Sequence, residues 1–392
     1  MVYESYEMGG ITAESLAISV PRITVLMSVF NDARYVSEAI ESILNQTLTD
    51  FEFLIINDGS TDSTPEILGW YARQDDRIRI FSQDNIGLTK SLNRGLEFAR
   101  GEYVARMDAD DISLRHRLQT QQDFLDAYSE IAVLSSGAEI INEEGHITAE
   151  YNPVLSSALL QWRLLFGNCL LHSTVMFRRD VIVRSGSYPA DCLVAQDYDL
   201  WAKLLSLNAE ICQLPEILIQ YRQNKQAISF RLNDKQIETS LRVVQRNIRF
   251  FFKKDVSREL VQALCDSENV RSCPVAKGEL IAEAINCWLN FKEVFLSNQH
   301  VSEFLNSNLG AELNLDISGK ILSLSRANAG YYSVSSLRAL LIAIRMAPSI
   351  VTKNEFWFAV MKAVIGQTRF QSVKNSLQII LEHFQKWRMI RS

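Results

Sequence analysis

The sequence predicts an α/β fold in which a mostly parallel β-sheet is flanked by helices and followed by an α-helical C-terminal region. Short apolar runs rich in β-branched residues alternate with stretches of helical periodicity up to about residue 230, where the strand signals stop. The 392 residues include only 7 prolines and 16 glycines, which favours long helices over an all-β architecture with many turns. Strands that alternate with helices pair in parallel, because each helix carries the chain back across the sheet.

Four strands and three helices are expected in the first 111 residues. The apolar run ITVLMSVF at 23–30 is typical of a strand buried on both faces, and the Asn31-Asp32 pair after it suits the N-cap of a helix. Further strands are predicted at 51–56, 77–81 and 102–107, with helices that open at Thr64-Pro65 and at Leu88. Proline costs little at a helix start, where its missing N–H has no partner to lose.

Polar side chains follow three of these strands at the point where each strand ends. They are Asn31-Asp32, Asn57-Asp58, and Asp108 with Asp110 and Asp111. Parallel sheets bind ligands at the carboxyl ends of their strands, so these groups are expected around one site. Carboxylates that cluster in this way repel one another, and a divalent cation would relieve the repulsion. Oxygen ligands suit Mg²⁺ or Mn²⁺, which carboxylates hold together with substrate phosphates. The cluster therefore predicts a divalent cation as cofactor and a nucleotide diphosphate as part of the substrate.

Missing motifs narrow the choice of function. No GxGxxG follows the first strand and no GxxxxGK[ST] occurs, which argues against dinucleotide oxidoreductases and P-loop phosphohydrolases. The net charge of −6 gives no general reason to expect nucleic acid as a partner. A nucleotidyltransferase also uses acidic metal sites on α/β sheets and stays an alternative. Such an enzyme usually carries a glycine-rich and basic phosphate loop near its first strand, and 28–34 holds none.

Several motifs taken together resemble family 2 glycosyltransferases of the GT-A fold over about residues 21–230. They are the run 23–47, IINDGSTD at 55–62, Asn85-x-Gly87 with Asn93-x-Gly95, GEYVARMDADD at 101–111, LHSTVMFRRDV at 171–181, Gly186-x-Tyr188 and AQDYDLWAKL at 195–204. The resemblance implies transfer of a sugar from a nucleotide-diphosphate donor, commonly a UDP-sugar, with inversion at the anomeric carbon. The GT-A catalytic domain is therefore expected at 21–230, after an N-terminal extension at 1–20 and before a helical region at 231–392, where the strand signals have stopped.

The resemblance assigns residues to the donor side of the reaction. The backbone at Phe30 and Asn31 would line the base and ribose pocket, and Asp58 would contact the uracil or ribose. Asp108 would face the ribose and diphosphate and share the metal with Asp110, the principal ligand. The full nucleotide-sugar set expected in this way is Phe30, Asn31, Asp58, Asn85, Asp108 and Arg222.

On the acceptor side, the resemblance makes Asp197 the catalytic base, with His172 and Gln196 nearby. The family usually has Glu-Asp where this chain has Gln196-Asp197, and many relatives have a histidine at the position of Asn224. These two departures motivate a second alternative, a catalytically impaired scaffold that binds nucleotide-sugar. His172 is expected on a strand and has two open interpretations, a group at the site or a satisfied core histidine.

The charge is distributed unevenly along the chain. Residues 341–392 carry eight basic and two acidic side chains, and 371–390 reads as a basic amphipathic helix with Phe384 and Trp387 on its apolar stripe. Such a helix suits peripheral contact with an anionic membrane, or packing on its own domain. Because many relatives use lipid-linked acceptors, a saccharide or lipid-linked acceptor is expected. Scattered cysteines and an N-terminus without a signal-peptide pattern predict a cytoplasmic protein, peripheral on the inner face of the plasma membrane.

Overall fold

A computed structural model describes residues 20–152, 155–224, 232–265, 278–297, 308–328 and 333–365. Its first part alternates strands and helices as the sequence predicts. The elements are β1 (Ile23–Val29), α1 (Val36–Leu44), β2 (Phe51–Asn57), α2 (Thr64–Ala72), β3 (Ile78–Ser82), α3 (Leu88–Phe98) and β4 (Tyr103–Met107). Strands β1 to β4 are all parallel, with β1 between β2 and β4.

Five further strands extend this sheet. The elements that follow are β5 (Ile112–Ser113), α4 (Arg117–Ala127), β6 (Ile131–Ile141), β7 (Ile147–Tyr151), α5 (Ser157–Leu164), β8 (Met176–Arg178), α6 (Arg179–Arg184), α7 (Gln196–Ser206) and β9 (Glu210–Arg222). The strand order is β3-β2-β1-β4-β8-β6-β9-β5, with β7 paired to β6. The pairing of β8 with β4 and β6 is antiparallel, whereas β6 and β9 run parallel. The prediction of a mostly parallel sheet flanked by helices is confirmed.

Both faces of the central strands are buried. In β1 and β2, Leu26 and Leu54 face one apolar cluster, and Val25 and Phe53 face the other. This alternation follows from the two-residue period of a strand, and it explains why the sequence runs are continuously apolar. Helix α3 lies directly on β1, since a Cβ on Gly95 would sit 2.3 Å from Leu26 Cδ1.

Two local predictions near the strand ends are wrong. Helix α1 begins at Val36 after Tyr35, which makes no side-chain cap, so Asn31 and Asp32 do not cap it. The side chain of Asn31 instead accepts hydrogen bonds from the next loop of the sheet edge. His172 lies on a 3-10 turn that precedes β8, not on a strand. In both places a contact from distant sequence outweighs the local preference.

Helices alone follow β9 in the described part of the chain. They are α8 (Asn233–Phe252), α9 (Arg258–Leu264), α10 (Gly278–Leu296), α11 (Leu309–Asn328), α12 (Ser333–Met346) and α13 (Asn354–Ile365). The apolar faces of α8 to α12 join the same cluster that covers one face of the sheet, whereas α13 packs in a separate small cluster through Phe356 and Ala359. The helical C-terminal region is therefore confirmed, and it shares a core with the sheet. The domain limits stay a prediction, and 1–19 and 371–392 lie outside the described residues.

Among the helices of the described ranges, none combines the length and the apolar character that a bilayer-spanning segment requires.

Candidate active site

The loops after β1 and β2 hold each other by hydrogen bonds. Asn31 has a positive φ of 53°, and its Oδ1 accepts a bond of 2.7 Å from the N–H of Thr61. In return the N–H of Asn31 donates to the hydroxyl of Ser60 at 3.0 Å. Phe30 lies beside this junction with 50% of its surface exposed. The backbone predicted to line a base pocket thus stands open at the carboxyl edge of the sheet.

Asp58 is buried and shapes the loop between β3 and α3. Its Oδ1 accepts from Gln83 Nε2 at 2.8 Å and from the N–H of Ile86 at 3.0 Å, and its Oδ2 accepts from the N–H of Gly87 at 2.9 Å. Asn85 is exposed on the loop that Asp58 organises. Both carboxylate oxygens are engaged by protein donors, so a contact to uracil or ribose stays a prediction.

A cluster of carboxylates follows β4. Burial, and then the charges of Asp111, Asp108 and Asp32, raise the pKa of Asp110 to about 8. Burial and Asp108 raise the pKa of Asp111 to about 7. Asp32, from the loop after β1, joins them: burial, Asp108 and Asp62 raise its pKa to about 6. The structure therefore brings together four acids, Asp32, Asp108, Asp110 and Asp111, that the sequence placed at two different strand ends.

Only part of this negative charge is balanced within the described residues. Arg106, on β4, forms an ion pair with Asp108 and is 1% exposed. Asp111 is buried, its Oδ1 accepts from the N–H of Arg222 at 2.8 Å, and the side chain of Ser173 acts to lower its pKa. Burial of clustered carboxylates is unfavourable, and an added cation in the cluster would lower that cost.

Arg222 acts as a buried clamp on the same turn. Its Nε donates to the carbonyl of Asp110 at 2.8 Å, and its Nη2 donates to Glu38 at 2.6 Å. The guanidinium also lies 4.5 Å from the ring centre of Tyr35. Because these partners surround the side chain, Arg222 holds β9 against the acidic turn and α1. Sequence reasoning missed Glu38 and Tyr35, which carry no motif signal, and the predicted contact to the nucleotide-sugar stays untested.

The acidic cluster fits a divalent cation by its chemistry. The described residues contain no group of three or more His, Cys, Asp or Glu side chains arranged to hold a metal ion. Mg²⁺ and Mn²⁺ sites that act on phosphates typically use one or two carboxylates and take further ligands from substrate and water. Asp108 and Asp110 match that smaller donor set, and burial together with the neighbouring carboxylates raises the pKa of Asp110.

Asp197 lies at the start of α7, where the helix dipole favours negative charge. Ala195, the N-cap residue of α7, has a positive φ of 56°. Asp197 Oδ2 accepts a bond of 2.8 Å from Asn168 Nδ2. Burial raises the pKa of Asp197, while the N–H of Tyr198, Asn168 and Arg106 each act to lower it. Asn168 orients the carboxylate, and no sequence pattern would have identified it.

His172 is a satisfied, half-buried histidine next to this carboxylate. Its Nε2 lies 2.8 Å from the hydroxyl of Tyr188. Burial and the charge of Arg106 hold the pKa of His172 well below its usual value, so the ring is neutral. Asn93 fixes Tyr188 by bonds to both its N–H and its carbonyl, at 3.0 and 2.8 Å. The core interpretation thus gains support, and the acceptor roles predicted for His172 and for the buried Gln196 stay predictions.

Tyr221 on β9 links the two sets of carboxylates. Burial raises the pKa of its phenol, and the charges of four acids add to that rise. These acids are Asp111, Asp108, Asp110 and Asp197. Carboxylates of the acidic turn after β4 and of the start of α7 therefore act on the same phenol.

Comparison with known proteins gives concordant matches. Residues 24–185 match the family model described as glycosyl transferase family 2. An uncharacterized glycosyltransferase of Haemophilus influenzae is 33% identical over 249 residues, which cover 60% of this chain and 75% of the relative. The O-antigen biosynthesis glycosyltransferase WbnJ of Escherichia coli is 34% identical over 203 residues, which cover 51% of this chain and 79% of the relative. The S. aureus TarS 1–349 structure in complex with UDP-GlcNAc is 17% identical with a TM-score of 0.48, and the match covers 84% of this chain and 92% of that structure.

Proposed function

This chain belongs to glycosyltransferase family 2, and from that membership we propose which sugar transfer it carries out. The donor is a nucleotide-diphosphate sugar, specifically a UDP-sugar. The acceptor is a hydroxyl group of a saccharide or of a lipid-linked saccharide, in the biosynthesis of a polysaccharide or glycan. The transfer inverts the configuration at the anomeric carbon.

The observation that carries the proposal is the common position of Asp197 and the acidic turn around Tyr221. Inversion is a single displacement, which needs a general base on the acceptor side and charge stabilisation on the leaving-group side. Asp197 supplies the first function, and the turn with Asp108 and Asp110 serves the second. Two separate carboxylate groups in one site match these two separate demands.

Asp197 takes the proton of the acceptor hydroxyl in the reaction. As the hydroxyl oxygen forms its bond to the anomeric carbon, the bond from that carbon to the diphosphate oxygen breaks and the nucleoside diphosphate leaves. The hydrogen bond from Asn168 holds the carboxylate in one orientation. Burial raises the pKa of Asp197 from its ordinary value, which brings a carboxylate base closer to working pH.

Asp108 and Asp110 would hold Mn²⁺ or Mg²⁺ on the donor side. When bound, the ion supplies positive charge that stabilises the leaving diphosphate. Phe30 and Asn31 line the place of the base and ribose. Gln196, in place of the usual glutamate, contributes no charge beside Asp197, so acceptor orientation depends on hydrogen bonds from its amide.

Polysaccharide synthesis is supported by the nature of the relatives. The Escherichia coli relative that is 34% identical is named for O-antigen biosynthesis. We place the protein in the cytoplasm, peripheral on the inner face of the plasma membrane through 371–392. That segment carries the basic amphipathic pattern in the sequence and lies outside the described residues.

The test is an assay of wild type, D110A and D197N with Mn²⁺ and a panel of UDP-sugars, measuring both hydrolysis and transfer. Loss of a general base should lower kcat by about 10²–10⁴-fold in D197N. D110A should lose its dependence on Mn²⁺ together with its activity. The exposed carboxyl of Asp180, which pairs with Arg184 away from the site, supplies the control variant D180N.

Two outcomes would overturn the proposal. Full transfer by D197N would remove Asp197 from its role as base. A wild-type protein that binds UDP-sugars without turnover would be the impaired scaffold instead, which Gln196 and Asn224 motivate. Membership of the family leaves the nucleotidyltransferase alternative without support, and release of UDP rather than pyrophosphate would mark the difference.

A further inference from the structure

A cavity of about 420 Å³ opens between the loop before α7 and the helix α8. Its lining includes Cys192, Leu193, Asp199, Glu238, Arg242 and Arg246. We propose that this cavity is the subsite for the acceptor saccharide, holding a neutral sugar ring whose neighbour presents its hydroxyl to Asp197. The inference rests on the proposed function and adds the residues that select the acceptor.

The cavity adjoins α7, the helix that carries the carboxylate proposed as base. Asp199 lies one position beyond Tyr198 on α7, and Cys192 lies in the loop that leads into that helix. The carbonyl of Cys192 accepts a bond of 2.5 Å from the hydroxyl of Thr89, which anchors the loop to α3. Burial raises the pKa of the Cys192 thiol, and the charges of Asp199, Asp191 and Asp197 contribute to that rise. The thiol on the cavity wall therefore lies within electrostatic reach of Asp197.

The charged side chains that line the cavity balance in sign, with the acidic Asp191, Asp199 and Glu238 and the basic Lys235, Arg242 and Arg246. Arg246 forms an ion pair with Asp199. Glu238 pairs with Arg258, whose Nη1 donates at 2.8 Å. The cavity is therefore rich in hydrogen-bonding groups and has little unbalanced charge. That combination fits a neutral, polyhydroxylated ligand better than a strongly anionic one.

Arg242 is the group best placed to bind a ligand directly. Its Nη2 donates to the hydroxyl of Thr239 at 3.1 Å, and no carboxylate of the described residues lies within ion-pair distance of it. A guanidinium presents donors in a fixed fork that suits two neighbouring oxygens. Leu193 is 66% exposed at the rim and offers an apolar surface to the C–H face of a sugar ring. The volume lies in the range of about 300–1,000 Å³ usual for small-molecule pockets.

The cavity is built from a part of the chain outside the matched family segment. The family model covers 24–185, whereas the cavity walls come from the stretch 191–246. Helix α8, which supplies Arg242, belongs to the helical region that packs on the sheet. The helical region thus supplies one wall of a site whose other wall adjoins the predicted base.

The test measures transfer from UDP-sugars with Mn²⁺ to octyl glycosides of glucose, galactose and N-acetylglucosamine, kept below their micelle-forming concentrations. R242A should raise the KM for the glycoside about ten- to hundredfold, the effect expected of a lost hydrogen bond to a charged group. The KM for the UDP-sugar should stay the same. L193W, which narrows the rim at an exposed position, should also raise the KM for the glycoside. The matched control is R249A, on the same helix but paired with Asp255 outside the cavity.

A second measurement does not depend on turnover. Alkylation of Cys192 by iodoacetamide is monitored by mass spectrometry of the peptide that contains it. The same glycosides should slow this alkylation in wild type and in R249A but not in R242A. Transfer with unchanged glycoside KM in both R242A and L193W would overturn the subsite. If wild type turns over no UDP-sugar, the proposed function fails, and the absence of Cys192 protection by any glycoside would overturn the subsite separately.

Discussion

The guanidinium of Arg106 lies inside the protein and forms an ion pair with Asp108, the first carboxylate after β4. Arg106 is 1% exposed, whereas the side chain of Asp108 is 30% exposed toward the site. The same positive charge acts to lower the pKa of Asp197 and holds down that of His172. Arg106 is thus a buried cation that acts both on the acidic turn after β4 and on the carboxylate at the start of α7.

Replacing Arg106 should destabilise the fold through its partner. R106M leaves Asp108 beside Asp111 without its cation, and removing one member of a buried pair typically costs about 3–5 kcal/mol. Because Asp108 is partly exposed, we expect the low end, about 3 kcal/mol, in urea unfolding. The double variant R106M/D108N should lose less than the sum of the single variants. The exposed Arg22, which pairs with Asp126, gives the control R22M with a loss under about 1 kcal/mol. Additive losses would show that the pair is not coupled.

The acidic turn should make stability fall as pH rises. The pKa of Asp110 is about 8 in the folded chain against 3.8 for an ordinary aspartate, so the folded state binds its proton more tightly. Between about pH 4 and pH 8 the folded chain holds more protons than the unfolded chain, and stability decreases with pH. The metal-free protein should therefore have a higher Tm at pH 6 than at pH 8. D110N should flatten this slope, and the exposed D50N should not.

Mn²⁺ should reverse the same trend. A cation competes with the proton at Asp110, so its stabilisation of the folded chain should be larger at pH 8 than at pH 6. Differential scanning fluorimetry with and without Mn²⁺ measures this difference directly. An equal Tm increase at both pH values, or the same increase in D110N, would place the ion elsewhere.

The sequence was most informative where burial alone decides the structure. Phe53–Ile56 lies in a central strand, and nothing but a buried strand suits such a run, so β1, β2 and β4 were predictable. The carboxyl edge was predictable too, because parallel strands end together. The partners of Arg222 within the protein were not predictable: no sequence pattern indicated that it contacts Glu38 and the carbonyl of Asp110.

The parts that could not be predicted depend on contacts between distant segments. Asn168 reaches Asp197 across 29 residues, and β8 pairs with β4 through only three residues. Neither leaves a periodic pattern, since each is decided by how α7 and the sheet edge pack. Asn31 suited a helix cap by local preference, but its side-chain oxygen accepts a hydrogen bond from the N–H of Thr61 in the neighbouring loop instead.

Two glycines at the site should respond differently to alanine. Gly59 and Gly87 both have positive φ, of 78° and 89°. A Cβ on Gly59 would lie 2.7 Å from the backbone nitrogen of Asn85, whereas nothing lies within 4 Å of one on Gly87. G87A should cost about 1–2 kcal/mol of backbone strain, and G59A more because the loop must also move. Urea unfolding compares them, and equal losses would mean that the contact with Asn85 relaxes freely.

The shared core predicts that the sheet and the C-terminal helices unfold together. Asp316 on α11 accepts from Trp162 Nε1 at 3.0 Å and from Arg163 Nε at 2.8 Å, both on α5. Lys320 Nζ lies 2.7 Å from the same carboxylate, and the side chains of Asp316 and Lys320 are 7% and 4% exposed. Burial raises the pKa of Asp316, but the charges of Lys320 and Arg163 overcome this and lower it.

D316A leaves the buried Lys320 and the partly exposed Arg163 without their anion and should destabilise the chain by about 3–5 kcal/mol. D316N keeps an acceptor for Trp162 and should lose less. The exposed carboxylate of Asp255 gives the control D255A. Tryptophan fluorescence and circular dichroism should report one coincident transition in urea. Two separate transitions, with D316A affecting only one, would show that the helical region is an independent domain.

The basic segment 371–392 should bind the protein to anionic lipid. Its sequence combines Phe384 and Trp387 with Lys386, Arg388 and Arg391, and each basic residue near an anionic surface is worth about 1 kcal/mol. Wild type should co-sediment with vesicles that contain phosphatidylglycerol and less with phosphatidylcholine alone, and added salt should weaken binding. Deleting 371–392 should abolish co-sedimentation, and K386E/R388E should weaken it without removing the apolar stripe. If the deletion instead lowers Tm and leaves vesicle binding unchanged, the segment packs on its own protein and the anchor lies elsewhere.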